Sequence, residues 1–544
     1  MAGVLGISLS GLLAAQQALE TTGHNIANVN TDGYSRQRVD MAPKESQFSG
    51  DGFVGQGVTA SISRVYDKLV SDQLVSSTST FSESAIFSGL ATQVDNLVSN
   101  KSTNLSPALT SFFNAANNVA NDPTSLPVRQ IMIAQADSIA QKFNLMSNQL
   151  EDISKQTNVH ISNTVDEINA YAQNIAYLND KISLEYSRSN TGQLPNDLMD
   201  QRDLLISKIA EKVNVSSLPQ TDGGVNVFMA NGQSLVLGKN ASSVSVNITG
   251  SDGTDIVIDM DGQDITQQIS SGELSGIIKF KEQMLNSAKQ NIGLLAVGVA
   301  VKLNEIHQAG FDLQGNPGQD LFSINAPQVV PSSNNVGVIS VNYDPASMNQ
   351  LMPSDYQLSY DGVQFSLTRL TDNTVTTFQS QPPTTIDGPG FKIDASDTTL
   401  SAGDTFLIQP NLKAAGTFKS IITDPLLIAA SSSLNQLPGD NQNALTMANA
   451  ENLSFLLNGR TTFNDLNGNF IAQIGSQTNA AKINDAAQEA LFNAAKTTKE
   501  SFSGVNLDEE AANLIKYKQS YEAAAQAISV SNSLFDTLIQ ATRS

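Results

Sequence analysis

The 544-residue chain contains no cysteine. That absence excludes disulfides, thiol catalysis and cysteine-held metal, and leaves packing as the source of stability. Basic residues are scarce too: 30 Lys and Arg stand against 52 Asp and Glu, a net charge of −22. Such a surface repels phosphates and anionic headgroups, so neither nucleic acid nor a membrane surface is expected as a partner. Charged side chains of both signs make up only 15% of the chain, below the usual quarter or so, and Asn, Ser, Thr, Gln and Gly fill the gap. Uncharged polar surfaces of this kind suit extracellular or polymer-forming proteins. No window has the length and purity of a membrane span, so no membrane insertion is expected. The opening MAGVLGISLSGLLAAQQALE is apolar, but it has no Lys or Arg before Glu20 and is broken by Ser8, Ser10, Gln16 and Gln17. It lacks the charged start of a secretory signal, so any export is expected by a route that keeps this segment.

Chemistry is equally sparse. The three histidines, His24, His160 and His307, fall on different predicted helices with no second ligand at helical spacing. No metal site is expected from them, and each is read as an ordinary solvated or interfacial helix residue. DMDGQD at 259–264 has calcium-like acidity, but its glycine is misplaced and no Glu follows at the required spacing, so it is read as a hairpin turn. GFVGQG at 52–57 opens no helix and has no Lys, which argues against a phosphate cradle. No Ser, His and acid set suggests a triad. Neither a cofactor nor catalysis is expected, and a mechanical role is favoured.

What the sequence has in quantity is heptads. Leu5, Leu12, Leu19 and Ile26 stand seven apart, with Leu9 adding a contact; near the other end Leu507, Leu514, Tyr521, Ile528 and Phe535 do the same. Asn506 and Glu509 have the spacing of a capping box, and Asp508 to Glu510 make an acidic first turn. Each end is therefore predicted to be a helix with one narrow apolar stripe, which needs a partner. The two ends packing on each other or on neighbouring copies is the natural solution; docking onto the main body is the alternative. An antiparallel arrangement would put Leu12 level with Ile528 and Leu19 with Tyr521, give or take one turn, with Ile26 near Leu514 and Leu5 near Phe535. Between the first helix and the rest lies NIANVNTDGY, residues 25 to 34. Asn25, Asn28 and Asn30 are poor helix formers and Asp32-Gly33 is a turn signal, so the stretch is read as helix termination rather than as a set of partner contacts.

The interior repeats the pattern. Met132, Ile139, Met146 and Ile153 are spaced by seven; the frame slips by one residue at His160, and Ile161, Ile168, Ile175 and Ile182 resume it. This predicts one helix over about 125 to 187, ~90 Å long, and hence an elongated body. Further helices are predicted around Phe87, Leu90, Val94 and Leu97; from Ser106 as N-cap with Pro107 following; along Ile278, Leu285, Ile292, Val299 and Ile306; and over 478–502 around Ile483, Leu491 and Phe502. Two stretches alternate as strands, with turns at Gly223-Gly224, Asn231-Gly232 and Asp261-Gly262 in one and at Asp361-Gly362 and Asp387-Gly388 in the other. The fold class predicted is multidomain α+β. Terminal coiled-coil helices (1–32 and 505–544) are joined to a discontinuous elongated helical rod (33–211, 269–331 and 414–504) that carries two small inserted β domains (212–268 and 332–413). Extended segments near Tyr34 to Met41 and Val58 to Ile62 are expected to lie along the rod as a hairpin.

ANVNTDGYSRQ, with Asn28, Asn30, Thr31, Gly33 and Tyr34, closely resembles the N-terminal motif of the flagellar rod, hook and hook-associated axial proteins. GQGVTASISRVYDKLV resembles the segment that follows it in hook-associated members, and SGVNLDEEAANLIKYKQSYEAAAQAISVSNSLFDTLIQ is similar to the paired C-terminal motif. SGELSGIIKF and GFDLQGNPGQDLF look like the helical region of hook-associated members rather than of the hook protein; the β stretches carry little of the likeness. The resemblance implies a structural component of the bacterial flagellum, exported through the flagellar type III apparatus without a cleaved signal. It would form the junction zone between hook and filament, extracellular, with the heptad residues of both ends in the inner core, the motif as a joint and the β domains outward. Other copies, hook protein, hook-associated protein 3 and an export chaperone on the C-terminal helix are the partners it implies. Two other classes stay open: a cell-surface adhesin with a coiled-coil stalk and a C-terminal anchor or barrel, and an exported glycan-active enzyme with two placed carboxylates.

Overall fold

The structure, a computed structural model, describes residues 2–45, 47–49, 52–54, 56–100, 102–189, 193–249 and 255–543, so Gly55 of the glycine-rich stretch lies outside the described residues. Helix α1 (Ala2–Ala27) stops at the asparagine-rich stretch. Strands β1 (Gln37–Pro43), β2 (Gln47–Ser49), β3 (Gly52–Val54) and β4 (Val58–Arg64) then make a ribbon, β1 antiparallel to β4 from Gln37↔Arg64 to Pro43↔Val58, with β2 and β3 paired beyond them. The expected hairpin is there; its broadest contact is with α1, and its Gln37–Arg64 end is bonded to α5 of the helical body.

Four helices follow: α2 (Lys68–Ser99), α3 (Ser106–Asn121), α4 (Leu126–Arg188) and α5 (Asn196–Lys212). Asp67 caps α2 by accepting from the amides of Leu69 and Val70. Ser106 is the first residue of α3 and not its N-cap; Asn104, two residues upstream, accepts its amide at 3.0 Å. Helix α4 is unbroken over 63 residues, about 95 Å at 1.5 Å per residue. Its slip at His160 has a structural meaning. Met132, Ile139 and Met146 bury into one hydrophobic core, and Ile161, Ile168 and Ile175 into a second one further along the helix, with Ile182 buried beyond them. A heptad stripe drifts by about 20° per repeat on a straight helix, and the one extra residue resets that drift, so the second run keeps to the same side of α4 as the first and meets the second core there. His160 stands at the handover, its Nε2 2.6 Å from Glu273.

The second core is completed by β5 (Val215–Pro219), β6 (Val225–Met229), β7 (Ser234–Leu237) and β8 (Asn240–Ala241), paired in sequence order, and by β9 (Val244–Thr249), β10 (Asp255–Met260) and β11 (Gln263–Asp264). DMDGQD is the β10–β11 turn, with Asp259 accepting the Gly262 amide. Two asparagines of α4 dock these sheets. Asn179 exchanges hydrogen bonds with both backbone groups of Val225, and Asn169 does so with Val244.

Helices α6 (Glu273–Phe280) and α7 (Asn286–Gln308), joined by a π turn over Lys281–Leu285, return to the first core. That core runs on into the second β block. Strands β12 (Phe322–Ser323), β13 (Gln328–Pro331), β14 (Ser340–Tyr343), β15 (Tyr356–Tyr360), β16 (Phe365–Arg369), β17 (Thr374–Phe378), β18 (Thr384–Asp387), β19 (Phe391–Ala395) and β20 (Thr405–Gln409) include a five-stranded sheet ordered β13-β20-β15-β16-β17 and a three-stranded one ordered β14-β19-β18. Their inward side chains, Tyr356, Leu358, Phe365, Phe391, Ile393 and Phe406, are fully or almost fully buried. His307 departs from expectation. It is buried completely, its Nδ1 on the Gln319 carbonyl and its Nε2 accepting the Ala429 amide at 2.8 Å.

The chain closes through β21 (Lys419–Ser420), the short helices α8 (Ala414–Thr417), α9 (Gln442–Asn449) and α10 (Leu456–Gly459), and two long helices, α11 (Phe463–Ser503) and α12 (Leu507–Arg543). Helix α11 starts well before the expected residue 478, because Thr462 and Asp465 form a reciprocal capping box. Its buried face is Phe463, Phe470, Ile474, Thr478 and Ala481, so Ile483, Leu491 and Phe502, on which the helix was predicted, point to solvent. Residues 507–543 are one helix, not the alternating strands of a barrel segment. Among the described residues no helix is long and apolar enough to cross a membrane.

Candidate functional site: the terminal helix pair and its joint

Helices α1 and α12 pack on each other along their length. Of the heptad residues at the two ends, Ile528 lies in that seam and the leucines do not make it. On α1 the buried line is Ala14, Ala15, Ala18, Thr21, Thr22 and Asn25; on α12 Glu510 and Ser531 are buried, and Asn513, Tyr517, Ala524 and Ile528 half-buried. Small side chains let two backbones approach closely, and the larger residues are then displaced to the flanks. Leu12, Leu19 and Ile26 are half-buried there, whereas Leu5 (39%), Leu507 (51%), Leu514 (38%), Tyr521 (37%) and Phe535 (54%) are exposed. The pair thus presents an apolar flank that nothing covers among the described residues.

The joint is built around Asn25. Its Nδ2 donates to the Gln37 carbonyl (2.8 Å) and to Glu510 (3.2 Å), while its Oδ1 accepts the Gln37 amide (2.9 Å) and the Tyr34 hydroxyl (2.8 Å). A side-chain amide completes the ladder of β1 as a neighbouring strand would. Glu510, 1% exposed, is held by Arg36 Nε at 2.7 Å, and Arg36 Nη1 reaches Glu509 at 2.6 Å. The capping box expected at Asn506 is therefore half-formed: Asn506 accepts the amides of Asp508 and Glu509, but the Glu509 side chain turns to Arg36. The Arg36 amide donates to the carbonyl of Ser503, the last residue of α11. On the other side, Asp200 of α5 accepts the Ser35 amide (3.0 Å) and pairs with Arg64 (2.7 Å), both carboxylate and guanidinium 7% exposed. Burial, with Asp197, Asp200 and Glu510 nearby, pushes the Tyr34 hydroxyl far above its ordinary range, so it stays a donor.

The motif residues divide by role. Asn28 caps α1, donating to the His24 carbonyl, and Thr31 donates to Asn28. Tyr34 ties His24 (3.0 Å) to Asn25. Gly33, at φ +79°, lies so close to Leu204 that an added Cβ would touch its side chain at 3.0 Å. Asn30 is exposed and lines, with Thr31, Leu74, Leu204, Phe492 and Lys496, a groove of about 680 Å³. Asn25, Arg36, Glu510 and Asp200 were not read from sequence as site residues. The available signal was Arg36 and Arg38 beside the motif and an acidic helix start, in a chain with few cations to answer it. A further pin was also unforeseen: Ser10 Oγ accepts the Val58 amide at 3.1 Å, and at Gly57, φ +93°, a Cβ would stand 2.0 Å from that oxygen. Among the described residues no three His, Cys, Asp or Glu side chains are grouped to hold a metal ion. What this arrangement can do is mechanical: one network fixes the terminal pair to the ribbon, to α5 and to α11.

Known proteins match each of these parts. Residues 5–34 match the flagella basal body rod protein family, and 500–541 the C-terminal family of the flagellar basal body rod FlgEFG proteins. Residues 91–322 match the flagellar hook-associated protein FlgK helical domain, and 330–410 the D2-like domain of flagellar hook-associated protein 1. Flagellar hook-associated protein 1 of Escherichia coli K12 is 32% identical over 546 residues, spanning 99% of this chain and 100% of that one. Its Salmonella typhimurium counterpart is 32% identical over 553 residues with the same coverage. The flagellar hook junction protein FlgK from Burkholderia pseudomallei shares the fold, with a TM-score of 0.72 at 24% identity over 79% of this chain and 100% of that one. Matched along its whole length, the chain belongs to the flagellar hook-associated protein 1 family, structural components of the bacterial flagellum.

Proposed function

We propose that the chain builds the junction zone between hook and filament, its α1 and α12 packing axially with those of other copies into an inner layer. The observation that carries this reading is the uncovered flank of Leu5, Leu507, Leu514, Tyr521 and Phe535 beside an already filled alanine seam. A surface of that kind on a soluble chain is a docking face in waiting. In this reading residues 1–32 and 505–544 form the inner layer, 33–211, 269–331 and 414–504 the rod, and 212–268 and 332–413 the outward β domains. Hook protein lies on one side and hook-associated protein 3 on the other. Before assembly an export chaperone covers the apolar flank of α12, and the chain leaves through the flagellar type III apparatus with its N-terminal helix kept.

The test is a strain whose own copy is deleted, supplied with Leu514→Asp/Phe535→Asp. Hooks without filaments, and flagellin shed into the medium, are the expected outcome, with the purified variant melting as the parent does. Filaments in normal number would sink the reading.

A further inference from the structure

Helix α12 carries a line of residues spaced by sevens: Glu510, Tyr517, Ala524, Ser531 and Leu538. The first four follow the seam with α1 and are buried or half-buried, whereas Leu538 is 50% exposed. The register explains the change. With Asn25 bonded to Glu510, Ala2 is level with Ser533, each 23 residues further along its antiparallel helix, so α1 covers Ser531 and not Leu538. The face turned toward α1 thus continues over residues 534–543, about 15 Å past the stretch that α1 covers. It also changes character there. Ala524 and Ser531 suit a close approach of two backbones, and Leu538 does not.

The uncovered stretch has two apolar ridges. Leu534 with Leu538, and Phe535 with Ile539, are i, i+4 rows about 100° apart. Leu534, Phe535 and Leu538 are 54%, 54% and 50% exposed, and Ile539 is half-buried. A helix that pairs with one partner needs a single stripe, as α12 has along α1; two ridges fit a helix set between two neighbours. The other side is polar, with Asp536, Thr537 and Gln540 exposed. Asp536 is the only charge between Glu522 and Arg543. Identical segments placed side by side bring like charges together, and this one has almost none to bring.

Copies related by rotation about a common axis hold identical segments at one level. The Leu534/Leu538 ridge of one copy then meets the Phe535/Ile539 ridge of the next with a difference in height of one residue, about 1.5 Å. Unlike ridges repeated around an axis close a ring, whereas a meeting of like ridges stops at a pair. We infer that residues 534–539 of neighbouring copies pack side by side, the Leu534/Leu538 ridge of one on the Phe535/Ile539 ridge of the next, and so close a ring at the end of the inner layer. The inference rests on the junction reading above.

The test uses the full chain in place of the deleted copy, without background from native cysteine. In Leu538→Cys/Ile539→Cys one thiol stands on each ridge, and the two cannot bond within a chain because they point about 100° apart. Oxidation of isolated, filament-bearing flagella is expected to give a ladder of disulfide-linked dimers, trimers and larger species, while Leu538→Cys and Ile539→Cys alone stay monomeric. Leu534→Cys/Phe535→Cys, one turn nearer α1, should behave as the first pair does and carries the test if that variant does not assemble. Dimers from either single variant would mean that like ridges meet, and monomers from both double variants that hook protein or another occupant covers the ridges; either result overturns the proposal. The junction reading fails separately. Absence of the chain from isolated flagella, or filaments in normal number on cells lacking it, would remove both ideas, whereas the chain present at filament-bearing hooks with no ladder removes this contact alone.

Discussion

Asn25 and Glu510, 485 positions apart in the chain, share a hydrogen bond of 3.2 Å at a site where both are about 1% exposed. A buried carboxylate is tolerable only when paired and hydrogen-bonded. Arg36 supplies the charge and Asn25 the second donor, and Asn25 can do so because its remaining amide hydrogen and oxygen are spent on Gln37 and Tyr34. The end of the first helix, the start of the ribbon and the first turn of the last helix are thereby one unit.

Asn25→Leu should break that unit while keeping the side chain's size. It leaves Glu510 with one partner fewer and both backbone groups of Gln37 unmatched, at about 1–3 kcal/mol for each group that water does not reach. The Gln37 amide, whose acceptor is Asn25 Oδ1, is the direct reporter. Its hydrogen exchange is expected to accelerate while amides of α4 stay slow; unchanged exchange at Gln37 would mean that Asn25 only ends the helix.

Removing the charge partner should cost more. Arg36→Ala strands Glu510 in a buried site, and breaking one half of such a pair typically costs about 3–5 kcal/mol. Arg36→Ala/Glu510→Gln is expected to recover a large part of that loss in urea unfolding of the terminal segment. Equal destabilisation by the single and double variants would show that the pair is not coupled.

His307 gives the fold a pH dependence of known sign. Burial, the larger cause, together with nearby Arg129 pushes its pKa down to about 4, although the Gln319 carbonyl and Asp312 pull the other way. The unfolded imidazole, near 6.5, takes its proton first. The stability contributed by the neutral ring is complete above about pH 6.5 and is lost as pH falls toward 4. Between pH 7 and 5 the loss should be about 2 kcal/mol, read as a lower urea midpoint of the helical body, and His307→Asn should flatten that slope.

The helices were legible because their stripes are long and regular: the frame slip at His160 even marks where α4 changes core. The asparagines were not. In sequence they read as surface polarity and helix stops, and Asn28 does cap α1. Asn25, Asn169, Asn179 and Asn304 instead point from helices to take both the N–H and the C=O of one extended residue: Gln37, Val244, Val225 and Phe322 respectively. A strand edge that would otherwise need another strand is satisfied by a helix. Local spacing carries no trace of this, because the partner lies up to tens of residues away and on a different element. The terminal seam was hidden for a related reason. Hydrophobicity singles out leucines, but close approach favours alanines, so the eye is drawn to the flank and misses the contact.

The seam also corrects the level of the two ends. Counting inward from Asn25 and Glu510 by 18 residues, about five full turns and so the same face of each helix, brings Ile7 opposite Ile528; Leu12 is then about 7 Å further along the pair and on its flank. The absence of cysteine makes this measurable. Ile7→Cys/Ile528→Cys should close an intrachain disulfide in the free protein on mild oxidation, since facing residues of such a seam lie within the Cα separation of roughly 4.4–6.8 Å that the bond needs. Leu12→Cys/Ile528→Cys should close far more slowly in the free chain, its flank position being available to a neighbouring copy after assembly. Equal rates for the two pairs would show that the alanine line is not the seam, and a bond from position 7 to the Leu507 end would mean that the helices run parallel.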